Sequence, residues 1–183
     1  MAAEELMSKI QAKLKGEEVG SYEIYMQVPR VTQLYLRRGR TELVNQVRHV
    51  GYGIRVLNKG FGVASSNLTE NSQVEACARN AASVARQAKP EKFVFPSKRK
   101  ASRVDIVDGR MRESPEIVVR DLAEQIIDAA TAEKVELPFA KVKAYHTRTR
   151  IVNSEGLDEE KEETMLFTEV SFKTSMNGQL SEY

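Results

Sequence analysis

The 183 residues are 41% hydrophobic and 30% charged, which excludes global disorder and suffices to bury a core as one domain or two small ones. With 28 basic against 26 acidic residues the formal charge is only +2, so bulk charge does not call for a polyanionic partner. The single cysteine, Cys77, excludes an intrachain disulfide, and no run approaches the roughly 18 apolar residues of a membrane span.

Leu6, Met7, Ile10 and Leu14 recur at helical spacing before Gly16, so the chain opens with an amphipathic helix. Glu4, Glu5, Lys9 and Lys13 interrupt any apolar segment of a secretory signal, and a cytoplasmic location is the expectation. Tyr22, Ile24, Met26 and Val28 alternate in a strand expected to end at Pro29, where the backbone donor is lost. Leu34 and Leu36 mark a second strand, Arg38-Gly39-Arg40 a turn, and Leu43 to Val47 a third.

Val50, Tyr52, Ile54 and Val56 alternate up to a turn at Asn58-Lys59-Gly60, and a short strand resumes at Phe61 and Val63. Thr69 is placed to cap the next helix, with Glu70 beside its positive end. The apolar stripe of that helix is read as Val74, Cys77, Ala78, Ala81, Val84 and Ala88, narrow enough to lie close on a sheet. Residues 89–113 read as a connector containing Pro90, Pro96 and the basic cluster Lys98, Arg99, Lys100 and Arg103, with only Val104 to Val107 able to form a strand.

Ser114 then caps a helix with Pro115 at its first position and an apolar stripe of Val118, Val119, Leu122, Ile126, Ile127 and Ala130. Ala140, Val142 and Ala144 alternate in a strand, Ile151 and Val152 precede a turn at Asn153 to Gly156, and Leu166, Val170 and Phe172 mark a last strand. The acidic run Glu155, Asp158, Glu159, Glu160, Glu162 and Glu163 reads as a solvated hairpin flank, since it lacks the alternating ligands and central Gly of a calcium loop. The expected class is α+β, with antiparallel sheets and three main helices packed on them. Its organisation is a first half over 1–88, the connector over 89–113 and a second half over 114–183.

The two halves also share an order of elements. Leu6, Met7, Ile10 and Leu14 fall in phase with Leu122, Ala123, Ile126 and Ala130, and Tyr22, Ile24 and Met26 with Ala140, Val142 and Ala144. Tyr52, Ile54 and Gly60 match Val170, Phe172 and Gly178 in the same way. Two intertwined αβββ repeats and generic αβ patterning both account for this. On the repeat reading the second half stops at Tyr183, where its matching helix should begin, and the chain is expected to be a piece of a longer protein.

The strand Gly51-x-Gly53-Ile54-Arg55-Val56, the turn Asn58-x-Gly60, then Phe61-Gly62-x-Ala64-Ser65, Asn67-Leu68-Thr69-Glu70 and the Ala-rich helix together resemble the N-terminal domain of the TldD/PmbA family. The similarity spans about Tyr22 to Ala88 and returns at the turn Asn153-Ser154-Glu155-Gly156. That family is known as modulators of DNA gyrase or TldD-type metallopeptidases. The resemblance implies the N-terminal, non-catalytic region of a peptidase subunit that acts on unfolded or small peptides. It also implies a homologous subunit as partner, in a homo- or heterodimer.

The family's active members carry a His-Glu-x-x-x-His helix, in which two imidazoles share zinc and the Glu acts as base. This chain has only His49 and His146, neither followed by Glu; both read as strand histidines on a polar face, with Arg48 and Arg148 discouraging a cation. Zinc is therefore implied only for a C-terminal domain outside these residues, in a TldD-like but not a PmbA-like member. Cys77, among alanines, reads as core, and Gly51-x-Gly53 lies within a strand, where glycines permit a bulge, curvature or close backbone approach. No catalytic, cofactor-binding or metal-binding residue is named, and the piece is expected to be inactive alone. Alternatives are a stand-alone interaction module using a sheet edge such as Leu166 to Lys173, and, less favoured, nucleic-acid contact through Arg37, Arg38, Arg40 and the connector cluster.

Overall fold

The computed structural model describes residues 3–98 and 104–173. Its elements are α1 (Ala3–Gly16), β1 (Ser21–Arg37), β2 (Arg40–Arg48), β3 (Gly51–Leu57), β4 (Phe61–Ser66), α2 (Asn71–Gln87), α3 (Gly109–Glu113), α4 (Pro115–Ala132), β5 (Glu136–Asn153) and β6 (Asp158–Lys173). The class is α+β: a six-stranded antiparallel sheet in the order β4-β3-β1-β5-β6, with β2 paired to β1. The three main helices are α1, α2 and α4, and the short α3 is added to them.

Pro29 does not end a strand. Tyr22, Ile24 and Met26 are buried and so are Thr32, Leu34 and Leu36, all even positions, so the alternation passes through the proline unbroken. The missing amide is tolerated because β1 changes partner there. Its ladder with β3 ends at Gln27 opposite Gly51, and its ladder with β2 starts at Arg30 opposite Arg48. At the β1–β2 tip Arg38 and Gly39 both take positive φ, 51° and 69°, as a two-residue primed turn requires.

Two compact units are built from interleaved stretches: residues 1–28, 49–104 and 148–161 in one, and 29–48, 105–147 and 162–183 in the other. In the first unit α1 and α2 share a core with β1, β3 and β4. Leu6, Met7, Ile10 and Leu14 meet Ile24, Met26, Ile54 and Val56, nearly all fully buried. Each such side chain contributes about 1.5–3 kcal/mol through the water it sheds.

Helix α2 buries Val74, Cys77, Ala78, Ala81, Ala82 and Ala85, while Val84 is exposed, so the stripe is rotated from the expected one. The reason is Gly62. A methyl group at that position would stand 1.9 Å from the Ala81 carbonyl oxygen and 2.5 Å from the Ala85 nitrogen, so the helix backbone rests on the strand itself. A methyl group at Gly60 would likewise stand 2.1 Å from the Lys89 carbonyl oxygen. Gly51 and Gly53, by contrast, have nothing within 4 Å, and β3 pairs with β1 in unbroken register, so close approach belongs to the other two glycines.

The helix also starts later than Thr69. Glu70 is the N-cap residue, its carbonyl accepting from the Gln73 and Val74 amides with no side-chain cap. Leu68 is held beforehand, its amide donating to Ser66 Oγ and its carbonyl accepting from the Tyr52 hydroxyl.

Residues 89–98 form neither helix nor strand, yet they are docked on the first unit. Phe93 and Phe95 stack edge-on with each other and with Phe61, at 5.1–6.1 Å between centroids. The Arg55 guanidinium lies 5.2–5.6 Å from all three rings and donates to Glu23. Val104 to Val107 form no strand. Arg99, Lys100 and Arg103, and the Gly178 end of the repeat comparison, lie outside the described residues.

In the second unit α4 lies on β1 and β5. Val119, Ala123 and Ala130 are buried against Leu34, Leu36, Ala140, Val142 and Ala144, with Leu122, Ile126 and Ile127 partly covered. Pro115 opens α4 as expected, but Ser114 makes no side-chain cap; Asp108 does so for α3, accepting from the Met111 amide at 2.8 Å. The acidic run lies largely along β6 and is mostly exposed or half-exposed.

Candidate functional site

The motifs of the first unit build scaffold. Asn153, 5% exposed, accepts from the Glu155 and Leu157 amides through Oδ1 and donates to the Pro96 carbonyl through Nδ2, at 2.8–3.0 Å. Ser154 extends the turn onto β1, donating its amide to the Tyr22 carbonyl and accepting the Tyr22 amide on Oγ. Gly156 takes φ 85°, closing the turn in the left-handed region. These residues, with Gly60 and Gly62, fix backbone geometry and present no reactive group.

Chemistry-bearing side chains behave likewise. Cys77 is buried; burial pushes its thiol pKa up, partly countered by a hydrogen bond with Tyr52, so it stays protonated rather than nucleophilic. His49 lies just past the end of β2, exposed, rather than within a strand. His146 is in β5 but its side chain is only 10% exposed, and it is clasped between Arg30 and Glu162 rather than standing on a solvated polar face. Among the described residues no group of three or more His, Cys, Asp and Glu is arranged to hold a metal ion.

The second unit offers a surface. Because Leu34, Leu36, Ala140, Val142 and Ala144 face the helices, the intervening Tyr35, Phe139 and Lys141 emerge on the opposite face of the sheet. Leu43 of β2 is registered opposite Tyr35, and the Tyr35 and Phe139 rings are 6.3 Å apart. The Lys141 ammonium lies 6.0 Å from the Phe139 ring and 5.6 Å from the Phe167 ring of β6.

One row of large side chains thus crosses β2, β1, β5 and β6. Lys141 pairs with Glu169, and that hydrogen bond holds its pKa above the ordinary lysine value. Leu43 is 46% exposed, Met165 55% and Phe167 41%, so the row is an apolar and aromatic strip with one neutralised ion pair inside it. Leu166 lies in the last strand, as expected, and is also exposed. A strip of this kind can grip extended chain or another protein surface through ring contacts and backbone pairing.

Of the basic side chains at the hairpin tip, Arg37 pairs with Glu42 at 3.4 Å. Lys98 is the one member of the connector cluster among the described residues. No helix of the described residues is long and apolar enough to cross a membrane. The strip was not legible beforehand because it needs the pairing of four strands from distant parts of the chain. The odd positions of β5, Phe139 and Lys141, were the available signal.

The family domain described as PmbA/TldA metallopeptidase domain 1 matches residues 22–85. No curated protein matches the sequence. Among solved structures, TldE from Thermococcus kodakarensis superposes with a TM-score of 0.77 at 18% identity, over 97% of this chain and 41% of that one. A protein assigned as a modulator of a DNA gyrase from Thermotoga maritima gives 0.71 at 20% identity, over 93% and 40%. A third, assigned as a modulator of DNA gyrase, from Bacteroides thetaiotaomicron, gives 0.75 at 13% identity, over 97% and 42%. The chain therefore spans about two-fifths of the length of the solved structures it matches, and at these identities the likeness is one of fold.

Proposed function

We infer, from a chain that carries the TldD/PmbA-family N-terminal domain over residues 22–85, that it is the non-catalytic region of a TldD/PmbA-type peptidase subunit. Its role in this reading is to wall the cavity that receives unfolded or small peptides and to contribute to the interface with a homologous subunit. The observation that carries the reading is the strip Leu43, Tyr35, Phe139 and Phe167. It is an exposed sheet face, rich in rings and with its one ion pair internally neutralised, suited to extended peptide of any sequence. Hydrolysis belongs to another part of the subunit. The zinc motif His-Glu-x-x-x-His does not occur in these residues, and the two histidines present lack its spacing.

The test has two stages. The endogenous protein is captured from source cells and its intact mass measured, with a value well above 20.6 kDa expected. A photo-crosslinking residue in place of Phe139 is then expected to label an unstructured peptide. A mass equal to that of the chain, or no labelling at saturating peptide, overturns the reading. In the first case the second reading takes over, a stand-alone interaction module working through exposed Met165, Leu166 and Phe167 on the outermost strand β6.

A further inference from the structure

Arg30, His146 and Glu162 stand side by side on β1, β5 and β6, three adjacent strands of the sheet. Arg30 occupies the face of β1 that also carries the buried Thr32, Leu34 and Leu36, and His146 continues the phase of Ala140, Val142 and Ala144. The group is thus on the helix-bearing side of the second unit, next to the end of α3. Arg30 Nη2 donates to the carbonyl of Arg112, one of the last of α3, and lies 3.2 Å from His146 Nδ1. His146 Nε2 meets Glu162 Oε1.

The chemistry of these atoms leaves one arrangement. A guanidinium can only donate, so His146 Nδ1 must accept and carries no hydrogen. The imidazole proton is then on Nε2, where it is donated to the Glu162 carboxylate. Both hydrogens of Arg30 Nη2 are used, one on the α3 carbonyl and one on the imidazole. Arg30 Nε, by contrast, is buried without a hydrogen-bond partner among the described residues. Leaving a donor unsatisfied in this way is costly, and the Nη2 contacts offset it only while Nδ1 remains a lone pair.

We propose that Arg30, His146 and Glu162 form a proton-operated clasp on α3. A second proton on the imidazole places an N–H and a positive charge on Nδ1, directly against the Arg30 guanidinium. Two donors cannot share that contact. Arg30 therefore leaves, and the Arg112 carbonyl loses its charged donor.

The other charges near the ring are mostly cations, several of them already engaged. Arg48 lies opposite Arg30 on β2. Arg112 bonds to Glu113 and feels Glu162. Arg148, two residues further along β5, has its own interaction, as has Glu162 beyond the one with His146. Asp108 is occupied in capping α3. The site is rich in cations, so the one that bridges to α3 is the one displaced.

The experiment is nitrogen-15 NMR of the imidazoles in a His49→Gln background, leaving His146 as the single histidine, with amide hydrogen exchange read in parallel. At pH 7.5 the expected pattern is a hydrogen-free Nδ1 and a protonated Nε2. On acidification the doubly protonated ring should appear together with a roughly tenfold or greater fall in the protection factor at Ser114 and Arg112, the intrinsic pH dependence of exchange divided out, the scale of losing one charge-assisted hydrogen bond. In Arg30→Met, the protection factors at α3 should be low at every pH and blind to the ring. A hydrogen on Nδ1 at pH 7.5, or a second proton gained without change in α3 protection, overturns the proposal, and the wild-type ring and exchange measurements decide it even if a variant fails to fold.

Discussion

Replacing Gly62 by alanine is the sharpest test of how the first unit is held together. The added methyl carbon would sit 1.9 Å from the Ala81 carbonyl oxygen and 2.5 Å from the Ala85 nitrogen, both backbone atoms of α2, whereas ordinary contact begins near 3.4 Å. No rotamer change can relieve this, so α2 must lift from β4 by about the missing 1.5 Å. Its stripe of Ala78, Ala81, Ala82 and Ala85, every member fully buried, is too short to bridge the gap. Overpacking of well-filled cores costs about 1–3 kcal/mol, and with backbone on both sides the expectation is the upper end, about 3 kcal/mol. Gly53→Ala is the control, since nothing lies within 4 Å of that position and an alanine there should be within about 1 kcal/mol of neutral. Equilibrium urea unfolding of both variants measures the difference. Equal midpoints would refute the claim that the glycine is there for close approach.

Three further outcomes follow from contacts in the same unit. Phe95→Ala, removing a ring 2% exposed, should cost about 3–5 kcal/mol and open residues 89–98 to limited proteolysis, while Phe93→Ala at 40% exposure should do far less of both. Cys77→Ala should flatten the alkaline limb of the stability curve. Burial raises the thiol above its ordinary value of 9.0, so its contribution is complete below that pH and lost as pH rises through the folded value; urea midpoints between pH 8 and 10.5 measure it. Asn153→Asp keeps both acceptor bonds but sets a carboxylate against the Pro96 carbonyl, with an expected loss of about 1–3 kcal/mol at pH 7. That loss should shrink at pH 4, where the acid can donate again, and a pH-independent difference in melting temperature would contradict it.

How far the sequence could be read depends on whether an element's pattern is one-sided. Helix α1 has large apolar residues on a single face, and Tyr22 to Met26, Tyr52 to Val56 and Ala140 to Ala144 alternate, so these parts of the core were legible in the chain. Helix α2 was not. With alanines at 78, 81, 82, 85 and 88, two rotations bury almost the same surface, and the expected stripe included Val84 where the fold buries Ala82 and Ala85. The tie is broken by Gly62, a residue outside the helix. Pro29 misled for a related reason: its effect depends on whether a partner carbonyl lies opposite its missing N–H, and the exchange of β3 for β2 at that point is a property of the sheet.

The same distinction separates scaffold from candidate site. The residues that carry the family likeness, Gly60, Gly62, Asn153 and Gly156, are short-range devices whose demands are visible in the chain itself: close approach, an Asx-type turn, a positive φ. The strip Leu43, Tyr35, Phe139 and Phe167 and the clasp Arg30, His146 and Glu162 each draw on strands far apart in sequence. Even so, His146 stood at the next even position after Ala140, Val142 and Ala144. A histidine continuing a buried phase demands partners for both ring nitrogens, and that demand alone was reason to look for a donor on one side and a carboxylate on the other.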